Sequence, residues 1–180
     1  MLVNVLIGVA VVLVVFLLVA ATRPSAYRVV RTLDVAAPAD RLFGILNDLR
    51  QFAGVLVLFG SPFASDAGMQ KTVEGPASGV GQSYAWSGKD AGKGTMTIEE
   101  SVPGQKVGIK LHFVKPMEST AHCALTLAGA PAGSLVTWSM EGNHNFIGKA
   151  IGLFMNMDKM LGRDIEMGLA RLKTVAEGRR

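Results

Sequence analysis

The sequence predicts an α+β protein in which a curved antiparallel sheet is wrapped on a long C-terminal helix, preceded by one N-terminal transmembrane helix. Three observations support this fold class. The chain begins with an uncharged apolar run, continues with short segments that alternate apolar and polar residues, and ends with apolar residues at helical spacing. Together they indicate an anchor over residues 1–22 and one domain over residues 23–180.

The N-terminal run contains no charged residue from Met1 to Thr22, and only Asn4 and Gly8 interrupt its apolar side chains. At about 1.5 Å per residue, about 20 helical residues cross the roughly 30 Å hydrocarbon core of a bilayer. The run also lacks the polar face of a soluble amphipathic helix. It therefore predicts a single-pass helix in the cell membrane.

A cleaved signal peptide is the competing interpretation, because the small residues before Thr22 resemble a cleavage site. A signal peptide, however, starts with a basic residue and has an apolar stretch of only about 7–15 residues. Here the first basic residue is Arg23, which favours a retained anchor. Because Arg23, Arg28 and Arg31 follow the run and none precedes it, the positive-inside rule predicts a domain on the cytoplasmic side.

Composition limits what the domain can bind. The net charge of +4 is too small and too dispersed for a nucleic-acid groove, so no nucleic-acid partner is expected. The single cysteine, Cys123, excludes an intrachain disulfide and a cysteine-based zinc cluster. The fold must therefore rest on side-chain packing.

The domain opens with β-forming residues of one parity from Tyr27 to Val35, which predict a first strand. Pro38 then suits the first turn of a helix that continues to about Leu49. From Gln70 to about His144, short β-type segments are separated by turns rich in Gly and Pro. Connections this short join antiparallel neighbours, so the pattern predicts a meander of six strands.

One parity of these strands is apolar, and the other carries polar residues such as Lys110, His112 and His122, as in a sheet that is wet on one face. Apolar residues from Ile147 to Leu172 then recur in steps of three and four. They predict one helix of about 30 residues, capped by Asn145. Its charged cluster is expected to form a solvated face with weak ion pairs: Asp158, Lys159, Asp164 and Glu166.

Local motifs extend over nearly all of the predicted domain. They are Ala36-Ala37-Pro38, Asn47-Asp48-Leu49, Gly75 to Gly81, Phe113 to Glu118, Val136 to Met140 and Asn156 to Leu169. These motifs resemble the START-like, or SRPBCC, superfamily, and in particular a membrane-anchored bacterial branch of the polyketide cyclase/dehydrase and lipid transport type. The resemblance implies a helix-grip fold whose cavity, between the sheet and the C-terminal helix, holds a hydrophobic small molecule or lipid.

The apolar parity supplies the candidate lining of that cavity, and nine methionines in the chain suit a wall that adapts to irregular ligands. The alternative stays open that the same side chains meet in a filled core. The ligand-pocket candidates are Tyr84, Trp86, Met96, Ile98, Leu111, Phe113, Trp138, Met140, Phe154, Met157 and Leu161.

The segment from Phe52 to Phe63 departs from the resembling branch, because it keeps a Ser-Pro pair but lacks the tryptophans found there. Leu58, Phe59 and Phe63 are candidates for a lid or portal that touches lipid. The alternative is a second short helix packed on the sheet edge.

No catalytic residue, metal site or cofactor is predicted. The histidines His112, His122 and His144 lack metal-ligand spacing. Glu99 and Glu100 are adjacent on a strand and so should point to opposite faces, which excludes an acid–base pair. The sequence therefore favours a non-catalytic, membrane-tethered domain whose partners are the bilayer and a hydrophobic small molecule or lipid. A polyketide cyclase/dehydrase-like enzyme and a protein-interaction module remain alternatives, with no protein partner identified.

Overall fold

The computed structural model describes residues 1–58, 60–66, 68–143, 146–153 and 156–178, with the backbone alone at residues 61, 62, 64, 147, 151 and 157. Its first element is helix α1, Leu2–Thr22. Within the described ranges, α1 is the one helix long and apolar enough to cross a membrane, a property that signal sequences share.

The domain after α1 contains helices and strands in the order that the sequence predicts. Its helices are α2 (Ala39–Leu46), α3 (Leu49–Val55), α4 (Phe146–Ile151) and α5 (Met157–Ala176), with a 3-10 turn at Phe63–Ser65. Its strands are β1 (Ala26–Val35), β2 (Val57–Leu58), β3 (Ser61–Pro62), β4 (Gln70–Glu74), β5 (Ser83–Ser87), β6 (Lys93–Val102), β7 (Lys106–Lys115), β8 (Ser119–Ala130) and β9 (Gly133–Asn143).

Seven strands form one antiparallel sheet in the order β1-β9-β8-β7-β6-β5-β4, and β2 and β3 form a separate hairpin. The predicted meander corresponds to β4 through β9, and the predicted first strand is β1, which closes the sheet by pairing with β9. The curved sheet and the C-terminal helix confirm the α+β class and the helix-grip arrangement.

The sheet has one buried face, as the alternation predicts. Along β9, Val136, Trp138 and Met140 are buried, while the residues between them are more exposed. We call the buried side, which α5 covers, the inner face. On the outer face, His122 lies 3.5 Å from a Glu99 carboxylate oxygen. The polar side chains of the strands are therefore exposed to solvent and contact charged residues.

Glu99 and Glu100 do not follow the expected alternation, because both side chains are exposed. The register between β6 and β7 shifts between Ile98 and Glu100. Such a bulge adds one residue to a strand and breaks its strict period of two. The carboxylates contact different lysines, Glu100 with Lys106 at 2.7 Å and Glu99 with Lys110 at 3.7 Å.

Two helices replace the single C-terminal helix of about 30 residues. α4 ends at Ile151, and α5 begins after Asn156, whose side chain accepts a hydrogen bond from the Lys159 N–H at 3.0 Å. Gly152 is a poor helix former, and the Asn156 cap satisfies a free amide of the next helix, so both favour the break. Asn145, the expected cap, lies outside the described residues.

Helix α5 buries Ile165, Leu169 and Leu172 against the inner face. Gly168 allows a close approach, because a Cβ atom at this position would lie 2.8 Å from the indole ring of Trp138. A side chain there would have to displace a buried aromatic ring.

A cationic contact ties the first half of α5 to the edge strand β1. The Arg31 guanidinium donates to Glu166 Oε1 at 2.7 Å and to Asp158 Oδ2 at 3.2 Å. It crosses Gly162, where a Cβ atom would meet its Nη2. Hydrogen bonds to Asp158 and then Glu166 raise the pKa of Arg31, which stays charged. The expectation of solvated ion pairs is confirmed for these two carboxylates.

A matched pair of substitutions tests the close approach of α5. Gly168→Ala and Gly162→Ala gain the same helix propensity, but the first places its methyl group against the rigid Trp138 ring, whereas the second displaces only the flexible end of the Arg31 side chain. We expect Gly168→Ala to be less stable than Gly162→Ala by about 1–3 kcal/mol, the usual range for overpacking. Chemical unfolding of the full chain in detergent measures the difference. Equal stability of the two variants would show that the inner face has room at Gly168.

Candidate functional site

The inner face holds the predicted pocket residues of the strands. Tyr84 pairs with Met96, and Met96 with Leu111, so that these side chains form a row across β5, β6 and β7. Seven candidates are no more than 6% exposed: Tyr84, Trp86, Met96, Ile98, Leu111, Trp138 and Met140. Phe154 and the side chain of Met157 lie outside the described part of the chain, and the assignment of the set to a pocket stays a prediction.

Protein side chains fill the inner face around Trp138. The Trp138 ring lies 5.5 Å from the ring of Phe52 on α3, between centroids, and it contacts α5 at Gly168. This part of the candidate lining is therefore packed as a core.

An aromatic cluster occupies the other side of the inner face. The Trp86 ring lies 5.3 Å from Phe63 and 5.8 Å from Phe113, both edge to face, and Phe63 lies 6.0 Å from Tyr84. The Trp86 Nε1–H donates to the Ala91 carbonyl at 3.0 Å, which fixes the ring. Phe63 is only 2% exposed, so this lid candidate is part of the core, whereas Leu58 is half-buried. Phe59 lies outside the described residues.

Three apolar inner-face residues remain partly exposed near one end of the sheet. Tyr27 stands near the start of β1, Phe113 near the end of β7, and Leu161 in the second turn of α5. The antiparallel register brings the start of β1 and the end of β7 to the same end of the sheet. We call these three residues the apolar opening. All three pack against the buried core cluster that contains Met96 and Leu111.

The hairpin β2–β3 is held against α5 by a buried carboxylate. Gly60, at φ +76°, turns the chain, and its N–H donates to Asp164 Oδ1 at 2.9 Å. About two helical turns further along α5, the Arg171 guanidinium donates to the Gly54 carbonyl at 2.9 Å and 3.2 Å. These contacts hold Gly54 and Gly60, within the segment for which the sequence predicts a lid or a second short helix, and α3 supplies the short helix.

Asp164 corrects the expectation that the charged cluster of α5 is solvated, because it is only 7% exposed. A sequence signal for its burial exists. Asp164 follows Leu161 by three residues and precedes Gly168 by four, so it lies on the apolar stripe. The burial of Asp164 was not predicted, because aspartate is a charged residue and is therefore expected on the solvated face.

Three titratable groups of the inner face, Cys123, Tyr27 and Tyr84, are neutral at ordinary pH. Burial raises the pKa of the Cys123 thiol to about 12, and the nearby Trp138 N–H lowers it by less. The buried Trp138 Nε1 makes no hydrogen bond of ordinary geometry within the described ranges. Burial also raises the pKa of Tyr27 and of Tyr84. The inner face therefore offers apolar surface and neutral polar groups but no thiolate nucleophile.

The described histidines take part in outer-face contacts. His112 Nδ1 lies 3.3 Å from the Thr120 hydroxyl, and His122 faces Glu99; His144 lies outside the described residues. Among the residues that the structure describes, no three of His, Cys, Asp and Glu are grouped to hold a metal ion.

A family profile described as polyketide cyclase / dehydrase and lipid transport matches residues 26–177. This range runs from the first residue of β1 to one residue beyond α5. No curated protein sequence matches the chain.

Solved structures share the fold at low sequence identity. A protein from Chromobacterium violaceum is 19% identical with a TM-score of 0.57, over 86% of this chain and 99% of that chain. StfQ, a di-domain ARO/CYC protein of the steffimycin biosynthetic pathway, is 12% identical with a TM-score of 0.62, over 86% and 52%. The Aha1 dimer from Colwellia psychrerythraea is 13% identical with a TM-score of 0.55, over 86% and 99%. At these identities, the likeness is one of fold.

Replacing Asp164 by alanine tests its role as the anchor of the hairpin. We expect faster hydrogen exchange at the Gly60 amide and a loss of about 1–3 kcal/mol in unfolding free energy, because a hydrogen bond to a buried carboxylate disappears. Hydrogen-exchange mass spectrometry and chemical unfolding of the full chain measure the two effects.

Asp158→Ala is the matched control on the same helix. It removes an exposed partner of Arg31, a type of contact that contributes about 0–1 kcal/mol. Unchanged exchange of residues 57–62 in folded Asp164→Ala protein would contradict the anchoring role.

Proposed function

Because the chain belongs to the polyketide cyclase / dehydrase and lipid transport family, we propose that it is a membrane-tethered domain that binds a hydrophobic small molecule or lipid at its inner face. The family supports a hydrophobic-ligand-binding domain in general. The membrane attachment, the class of ligand and the residues that contact it are parts of the proposal.

One observation carries the proposal. Tyr27, Phe113 and Leu161 of the apolar opening are partly exposed, and they pack against the buried core that contains Met96 and Leu111. An apolar chain that enters there would remove this exposed surface from water, at about 25 cal/mol per Å². The inner face around Trp138 and around Trp86 is filled by protein side chains, so we assign the ligand to the partly exposed residues of the opening.

The chemistry of the inner face favours an uncharged ligand body. The thiol of Cys123 and the phenol of Tyr84 are neutral, and an unpaired charge buried beside them would carry a large desolvation cost. A charged group of the ligand would therefore stay outside the opening. This division between an apolar chain and a polar end matches a lipid or fatty acid.

The proposed tether is α1, whose apolar residues are exposed along nearly the whole helix. Exposed Val, Leu and Ile side chains in such number require an apolar solvent. Arg23 and Arg28 follow the helix, and by the positive-inside rule they favour a cytoplasmic domain. A cleaved signal sequence would leave the same inner face in another compartment.

Catalysis has less support than binding. The buried acid Asp164 accepts a backbone hydrogen bond from Gly60, and the Cys123 thiol is protonated. Asp164 holds the hairpin and Cys123 is buried in the core, so both groups have structural roles. Acid–base catalysis instead requires a titratable group within hydrogen-bond reach of the substrate. A cyclase/dehydrase-like enzyme is therefore the second candidate.

Photo-crosslinking tests the proposed ligand site. Membranes that contain the full chain are incubated with a fatty acid that carries a diazirine and an alkyne, irradiated, and digested for peptide mapping. We expect labelled peptides from β7 and from the first half of α5, in addition to peptides from α1. Leu161→Glu places a carboxylate in the opening and should lower labelling of the domain several-fold without changing that of α1.

Val175→Glu is the matched control, because Val175 also lies on α5 but is 51% exposed. Its labelling should equal that of the unmodified chain. Labels confined to residues 2–22 in a folded protein would contradict ligand binding by the domain and leave the tether intact.

A further inference from the structure

Helix α4 packs on the end of α1. Along α1, Ala20 is buried and Phe16 is half-buried, four residues apart on one side, while the other residues are exposed. The helix in contact with α1 is α4, Phe146–Ile151. Phe16 precedes the last residue of α1 by six positions, which is about 9 Å along a helix axis. If α1 spans a bilayer, α4 lies at the depth of the boundary between headgroups and acyl chains.

The surface of α4 suits that depth. Phe146 is 48% exposed although it is a large aromatic residue. From Phe146 to Leu153 the single charged residue is Lys149, whose long side chain can reach the headgroups from an apolar helix. A segment of this kind typically lies in the plane of a membrane interface.

A turn of the sheet presents apolar side chains at the same end. β1 begins opposite the end of β9, with Ala26 paired to Asn143, and the β7–β8 turn follows Phe113, which pairs with Ser119. Val114 at the end of β7 is 41% exposed, and Met117 in the turn is 39% exposed. The topology therefore places the β7–β8 turn at the sheet end from which α1 and α4 extend.

Basic residues outnumber acidic ones at this end of the sheet. The β5–β6 turn also lies here, because Lys93 pairs with Lys115. The basic residues are Arg23, Arg28, Lys71, Lys89, Lys93, Lys115 and Lys149, and the acidic ones are Asp66, Asp90, Glu118 and Glu141. Exposed apolar groups among basic ones form the pattern of a surface that binds anionic lipid.

We propose that residues 146–153, which include α4, and residues 114–118, the end of β7 and the β7–β8 turn, form a second membrane contact that seats the domain on an anionic lipid surface. We call it the seating surface. The inference rests on the proposed tether and adds a fixed orientation to it. Because Phe113 lies at the same end of the sheet as this surface, the apolar opening then borders the bilayer rather than bulk water.

Site-specific fluorescence in the full chain tests the seating surface. Single cysteines at Phe146→Cys, Met117→Cys, Val80→Cys and Val12→Cys are labelled with the polarity-sensitive dye NBD in vesicles of phosphatidylcholine and phosphatidylglycerol. The unmodified chain is the labelling blank, because Cys123 is buried. Val80 is the matched control, since it is 57% exposed in the turn at the opposite end of the sheet.

We expect blue-shifted emission and quenching by nitroxide-labelled lipid at positions 146 and 117, and aqueous emission at position 80. In detergent-free vesicles without phosphatidylglycerol, the lipid quenching at position 117 should fall, because the lysines lose their anionic partners. Unchanged quenching there would overturn the electrostatic part of the proposal.

The remaining outcomes separate this proposal from the tether. Lipid quenching at position 12 with aqueous emission at 117 and 146 would overturn the seating surface and leave the tether standing. Aqueous emission at position 12 would overturn both. Protection at 117 and 146 from aqueous quenchers without quenching by lipid would point to protein contacts and would also overturn the seating surface.

Discussion

The contact between Trp138 and Gly168 sets the distance between helix α5 and the sheet, and the rest of the domain depends on that distance. With no side chain at Gly168, the helix lies directly on the indole ring, and its flanking residues reach neighbouring elements. Asp164 and Arg171 bind the hairpin and α3 on one side, and Asp158 and Glu166 bind Arg31 of the edge strand on the other. A helix held farther out would lose these contacts together, because hydrogen bonds weaken steeply beyond about 3.5 Å.

The same contact divides the inner face into two unequal parts. Around Trp138 and Phe52 the space is filled by rigid aromatic rings, which pack closely and leave little adjustment. Toward the start of α5 the wall includes Met96, Met140 and the half-buried Leu161, and methionine adapts to irregular shapes at low energetic cost. The proposed ligand site therefore lies at the opening and not beside Trp138, where the close approach of α5 leaves the rings in contact with protein side chains.

The sequence alone predicts the strands and the inner face, because a period of two determines which side chains share a face. Val136, Trp138 and Met140 are clear examples. It does not predict features that depend on tertiary neighbours. The bulge at Glu99 arises from the pairing of β6 with β7, the burial of Asp164 depends on the Gly60 amide, and the cap at Asn156 follows from the break between α4 and α5. Likewise, parity identifies residues that face α5, but the distance at Gly168 decides which of them are packed together.

The proposed orientation gives a physical reason for joining such a domain to a membrane helix. Exposing a lipid chain of about ten CH₂ groups to water costs about 8 kcal/mol, at about 0.8 kcal/mol for each group. A free domain would meet this barrier each time a lipid left the bilayer. With α4 packed on the last turns of α1, Phe113 and Leu161 would border the acyl region, and a chain could pass from lipid to protein without full exposure. The partly exposed residues of the opening would then face hydrocarbon for much of their surface. The apolar opening and the tether would then act together, because the bilayer covers the exposed apolar side chains of both.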